Sequence, residues 1–186
     1  MNKQRYIHLK NNLTGGTKKT YAILHSTSYE NLIDILKCGV LYANAYIDDK
    51  HKRLSGDENM EYIFTNMVRS DIKIPDFGFG LLFNTNILND KTFYFNKYWV
   101  AGINDGTIKV TKQNRKGLIR NIIKYINEKN DNIGHEVTGH EILFKKSIDV
   151  KKYLIGINCQ VGTTEENQNL LDILRDFGYK KTKMYS

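Results

Sequence analysis

The chain has 186 residues, enough for one domain with a real core, and its 40% hydrophobic and 11% aromatic content with one proline excludes a disordered or collagen-like polymer. Its formal charge of +8 points to a polyanionic partner, nucleic acid or a phosphate-rich small molecule, although lysine far outnumbers arginine and much of that charge is expected to be solvated surface. Cys38 and Cys159 are too few for a disulfide framework, and neither an 18-residue apolar run nor an N-terminal hydrophobic region is visible, so a soluble, cytoplasmic protein without a membrane span is expected.

Residues 1–20 are rich in Lys, Asn and Gly and lack periodicity, which reads as a flexible N-terminal segment preceding a single domain over 21–186. Tyr21 to Ser26 forms the first expected strand. Thr27-Ser28-Tyr29-Glu30 has the T-x-x-E pattern of a capping box, and Leu32, Ile33 and Leu36 follow at helical spacing until Gly39 ends the helix. A charged stretch from Asp48 to Asn59 reads as a loop, Tyr62 to Asn66 as a second strand and Phe79 to Asn84 as a third. Phe93 to Trp99 places aromatics on both faces of an extended segment, either a core strand or a ligand-lining wall. Asn114 to Asn130 carries Leu118, Ile119, Ile122, Ile123 and Ile126 on one helical stripe.

The next stretch, Gly134 to Lys146, writes Gly-His-Glu twice. His135 and His140 are five residues apart, not the four that put two imidazoles on one helical face, so no zinc site and no other metal is expected; His135 and Glu136 read as loop. Ile142, Leu143 and Phe144 form a buried strand with Glu141 at its mouth, where a carboxylate needs a reason. Leu154 to Cys159 is a further strand. Thr163-x-x-Glu166 then opens a last helix with Leu170, Leu171, Leu174 and Phe177 as its buried side. Strands and helices mix without regular βαβ alternation, which predicts an α+β fold rather than a doubly wound sheet.

Three segments together resemble the ADP-ribosyltransferase superfamily in its His-Tyr-Glu branch, the diphtheria-toxin-like and poly(ADP-ribose) polymerase-like enzymes. They are Ile23-Leu24-His25-Ser26-Thr27 with its capped helix, Tyr62-Ile63-Phe64-Thr65-Asn66-Met67-Val68, and Gly139-His140-Glu141-Ile142-Leu143-Phe144. The last is also similar to transferase-like proteins of large DNA viruses and phages. The resemblance implies a split, mostly antiparallel sheet with flanking helices and an NAD-dependent transferase or NAD glycohydrolase, a monomer acting on a protein or nucleic-acid acceptor. It further implies Glu141 and His25 as catalytic residues, with His25, Ser26, Thr27, Tyr62 and Phe64 binding NAD. Two departures stand out. Ile63 occupies the place before Phe64 where the family has its tyrosine, Tyr62 lying one residue earlier, and Gly139 replaces the acidic or amide residue of arginine-modifying members.

The chemistry suits those residues. Cleaving a nicotinamide–ribose bond passes through an oxocarbenium-like state, which a carboxylate stabilises while accepting a hydrogen bond from a ribose hydroxyl. Two other readings stay open: a module of this fold that binds a nucleotide or host protein without turnover, and a basic nucleic-acid-binding protein whose lysines and aromatics share one surface.

Overall fold

The computed structural model describes residues 20–47, 61–69, 78–98, 100, 102–133 and 140–185. The N-terminal segment, the Asp48–Asn59 loop, Trp99, His135 and Glu136 lie outside the described residues, apart from Thr20. No helix among the described residues is long and apolar enough to cross a membrane.

Among the described residues, ten strands and five α-helices follow in chain order: β1 (Tyr21–Thr27), α1 (Tyr29–Cys38), β2 (Val40–Tyr42), β3 (Tyr62–Arg69), β4 (Phe79–Asn84), α2 (Ile87–Asp90), β5 (Phe93–Asn96), β6 (Ile108–Lys109), α3 (Arg115–Ile133), β7 (Glu141–Lys145), β8 (Ser147–Asp149), α4 (Val150–Tyr153), β9 (Leu154–Asn158), α5 (Thr164–Asp176) and β10 (Lys183–Tyr185). Eight of the strands form one sheet in the order β10-β9-β4-β1-β3-β7-β5-β6, and β2 pairs with β8 beside it. Every pairing is antiparallel except β9 with β10, which are joined through α5 as the one βαβ unit among the described elements. The fold is thus the mixed, mostly antiparallel α+β architecture that the order of elements predicts.

Burial explains why the strands sit where they do. Ile23, Ile63, Met67, Leu81, Phe83, Phe93, Ile142 and Phe144 alternate onto one face and pack under the helices with Leu32, Leu36, Ile122, Ile126, Leu170 and Leu174. The other face carries only a small apolar cluster of Ala22, Leu24, Val68, Leu82 and Tyr185 over the β1–β9 side. There the Tyr185 ring lies across Gly156, at a spot where any side chain on Gly156 would collide with it. Beyond β3 this second face turns polar and aromatic, and it is there that the unusual side chains gather.

Two expectations need correction. Ser28, not Thr27, caps α1, its Oγ accepting from Asn31 N–H at 3.3 Å; Thr27 is consumed by β1, which runs one residue further than its apolar pattern. The C-terminal end is as expected, with Gly39 at φ 77°, a left-handed conformation that costs a glycine nothing. On α5 the Thr163–Glu166 capping box is present, but Leu171 is 43% exposed and Phe177, past the helix end, 38% exposed; Ile173 takes the inner position with Leu170 and Leu174.

Candidate active site

Strand β3 is where the sheet changes partners. Its C-terminal half pairs with β1, from Tyr21 opposite Arg69 to Leu24 opposite Asn66, and its N-terminal half pairs with β7, from Tyr62 opposite Lys145 to Thr65 opposite Ile142. The ladder therefore opens on both flanks of Phe64–Asn66. Side chains fill the breaks.

On the β1 flank the filler is His25. Its Nδ1–H donates to the Phe64 carbonyl at 2.9 Å, standing in for the main-chain bond that the diverging strand no longer makes. Because a carbonyl only accepts, the proton is fixed on Nδ1 and Nε2 keeps a lone pair. Burial lowers the pKa of this half-buried ring, against the smaller opposite pull of the carbonyl, so the imidazole is neutral at pH 7. Ser26 beside it is exposed and Thr27 half-buried.

On the β7 flank two residues act together. Asn66 Nδ2–H donates to the His140 carbonyl, and Met67 N–H donates to His140 Nε2 at 2.9 Å. His140 is fully buried among the rings of Phe95 and Tyr125; its Nδ1 has no partner among the described residues, and desolvation pushes its pKa down to about 4. Glu141 follows and, by strand alternation, turns to the opposite face.

Glu141 is only 1% exposed. Its Oε2 accepts from Asn96 Nδ2 at 2.8 Å and from Val100 N–H at 3.3 Å. A buried charge requires such partners, since an ionised carboxylate stripped of water is unfavourable by several kcal/mol. Register continues the logic: Asn96 lies directly across from Glu141 on β5, and Tyr94 across from Leu143. Alternation places Tyr62, Phe64 and Asn66 on the Glu141 face, while Ile63 is buried in the core face. The residue at the family's tyrosine position thus serves the core. Tyr62 instead meets Tyr94 edge-on at 5.5 Å, both half-buried, and desolvation raises the Tyr62 pKa.

His25 and Glu141 occupy the two flanks of one short stretch of β3, two strand spacings or about 10 Å apart across the sheet. They share neither a row nor, by alternation, a face: Leu24 lies opposite Asn66 and turns with it to the Glu141 face, so His25 follows Ile23 to the helix side, its ring turned into the seam. Asn96, Asn66, Thr107 and the Val100 amide were not legible as site groups. The available signal was asparagine inside the strand-like runs Phe93-Tyr94-Phe95-Asn96 and Ile63-Phe64-Thr65-Asn66, since asparagine is depleted in strands unless its amide has work there.

This architecture has solved counterparts. DarT of Thermus sp. 2.9 in complex with ADP-ribosylated ssDNA is similar at TM-score 0.57 and 12% identity, covering 88% of this chain and 92% of that one. The same protein in complex with carba-NAD+ gives TM-score 0.56 at 11% identity over 89% and 95% of the two chains. The fold is therefore that of DarT. By sequence, residues 18–133 match the model of a family of unknown function, DUF5846, and the chain belongs to that family. Two uncharacterised proteins of Acanthamoeba polyphaga mimivirus are similar to it, one 30% identical over 171 residues and covering 84% of this chain, the other 25% identical over 137 residues and covering 69%. The chain spans 62% of the first relative's length and 70% of the second's.

Proposed function

We propose that this protein is an NAD-dependent ADP-ribosyltransferase, with Glu141 as its catalytic carboxylate. The observation that carries the reading is a carboxylate held by two N–H groups in a buried position, on a strand beside the seam that a neutral histidine fills. In this reading the nicotinamide–ribose bond breaks with its electron pair leaving on nicotinamide. Glu141 stabilises the positive charge that develops on the ribose, and an acceptor's lone pair then bonds to the anomeric carbon and releases its proton. His25 Nε2 accepts from a ribose hydroxyl. The Ser26 and Thr27 hydroxyls hold the nicotinamide carboxamide, and Tyr62 and Phe64 offer the ring faces on the Glu141 side of the sheet.

The acceptor favoured in this reading is a nucleic-acid strand, from lysines set beside aromatic rings on both sides of β5. Lys97 lies over the rings of Tyr98 and Tyr125 at 5.8 and 5.5 Å, Lys109 lies 5.9 Å from the Tyr94 ring centre, and Tyr98 is 62% exposed. Aromatic faces with interleaved cations are what stacks bases and neutralises phosphates. DarT is itself seen with ADP-ribosylated ssDNA.

The test is incubation with NAD labelled on the nicotinamide and on the adenylate, with a single-stranded oligonucleotide or a protein mixture as acceptor. Wild type is expected to release nicotinamide and label the oligonucleotide, and Glu141→Gln to lose about 100-fold or more of both. Nicotinamide release without labelling would make the protein a glycohydrolase, and labelled protein would move the acceptor class. An NAD-dependent thermal shift without any release would leave a binding module instead.

A further inference from the structure

We infer that Asn96 is the positioning residue for Glu141, and that Thr107 sets Asn96 in turn; the inference rests on the catalytic reading of Glu141 given above. The three form a directional chain. Thr107 Oγ1–H donates to Asn96 Oδ1 at 2.6 Å, which fixes which end of the amide is oxygen. The Asn96 Nδ2 amide then presents both of its hydrogens as donors, one to Glu141 Oε2 at 2.8 Å and one to the Gly102 carbonyl at 2.7 Å. The Asn104 Oδ1 contact to the same hydroxyl is longer, 3.3 Å, while Asn104 N–H donates to Thr107 Oγ1 at 2.8 Å; the hydroxyl proton goes to Asn96.

With Asn96 only 2% exposed and Glu141 1%, water does not replace these bonds. Each Asn96 atom that can bond does so, and the carboxylate is left one orientation. Glu141 also takes Val100 N–H, so its position and that of the backbone following β5 are coupled through the same oxygen. A carboxylate that stabilises charge on ribose must hold its place as that charge develops, and a preset orientation spares reorganisation at that moment. A flipped Asn96 would turn Oδ1 toward Glu141, two acceptors facing each other. Thr107 prevents the flip.

Two measurements test this, one independent of turnover. In Asn96→Ala and in Thr107→Val, amide hydrogen exchange at Val100 is expected to accelerate about 10-fold while the core strands keep their protection. In the same variants kcat for nicotinamide release is expected to fall about 30-fold or more, with KM for NAD within about 2-fold, and Thr107→Ser, which keeps the hydroxyl, is expected to return kcat to within about 3-fold of wild type. Thr107 is half-buried at the surface, so its variants keep the test available where Asn96→Ala does not fold. Unchanged exchange at Val100 in both variants overturns the inference whether or not wild type turns over NAD. A kcat loss that Thr107→Ser does not rescue overturns the role of the hydroxyl. Accelerated exchange in the variants of a protein whose wild type releases no nicotinamide sinks the NAD reading alone, leaving the Thr107–Asn96–Glu141 coupling as a fact of the fold.

Discussion

On its β1 side, β3 gives its Phe64 carbonyl to a half-buried imidazole next to exposed Ser26; on its β7 side it gives an asparagine amide and a main-chain N–H to a residue with no exposure at all. The same interruption of a ladder is thus repaired once in reach of water and once away from it. The His25 flank keeps a lone pair that a ligand can meet. On the Glu141 flank the carboxyl is buried against Asn96, a partner that solvent does not replace, with the Val100 N–H at its solvent edge. Under the proposed function the two flanks would divide the labour, the wet one recognising the ligand and the dry one stabilising charge.

The largest effect that separates them is expected on the dry flank. Glu141→Ala removes the acceptor from one Asn96 amide hydrogen, leaving a buried donor without a partner, and from Val100 N–H, which sits at the solvent edge. With up to about 3 kcal/mol for the buried orphan and about 1 kcal/mol for the part-buried bond, the loss is about 4 kcal/mol, readable by urea denaturation. Glu141→Gln keeps an acceptor oxygen there and is expected to stay within about 1 kcal/mol of wild type. Equal destabilisation by the two substitutions would mean that the carboxylate's charge, not its hydrogen bonds, holds this flank together.

Next in size is a pH dependence centred on His140. Its pKa falls from 6.5 to about 4 on folding because burial disfavours the imidazolium. Between these values the unfolded chain binds a proton that the folded chain refuses, so stability is full above pH 6.5 and is lost as pH falls towards 4, by about 3 kcal/mol. His25, also lowered by burial, adds in the same direction. Denaturation midpoints at pH 7 and 4.5 measure this slope, and His140→Gln is expected to flatten most of it. A slope as steep in that variant would assign the effect to other groups.

How much of this was legible in the sequence follows from what periodicity records. Strands with an apolar face, such as Phe79–Asn84 and Glu141–Lys145, and the helix over Arg115–Ile133 announce themselves because burial repeats at a fixed period. Three-residue β2, β8 and β10 are too short for a period and exist through their partners. Glu141 was legible for a different reason: a carboxylate opening an apolar run violates the pattern, and a violated pattern marks a place where something other than packing is being satisfied. The switch of partners along β3 was not legible. Pairing register is a property of three strands distant in sequence, and only that register reveals that Asn66 and His140 belong to one repair and that Asn96 lies across from Glu141. Leu171 failed in the opposite direction, since its spacing fits the inner stripe while nothing packs above it.

The smallest expected effect is the most discriminating for the wet flank. His25→Ala removes a single hydrogen bond to the Phe64 carbonyl at a half-buried seam, where water can enter and take the donor's place. The stability loss should therefore be about 1 kcal/mol, well below that of Glu141→Ala. NAD affinity, followed by isothermal titration, is expected to fall about 10-fold, since the variant loses the Nε2 acceptor for a ribose hydroxyl. His25→Asn separates the two roles: its Nδ2–H can reach for the Phe64 carbonyl and recover stability, but it has no second nitrogen to offer the ligand. Recovered folding with unrecovered NAD binding would assign recognition to the far side of the ring. If binding returns with folding, the ring only holds the seam, and the division between a recognising flank and a charge-stabilising flank fails.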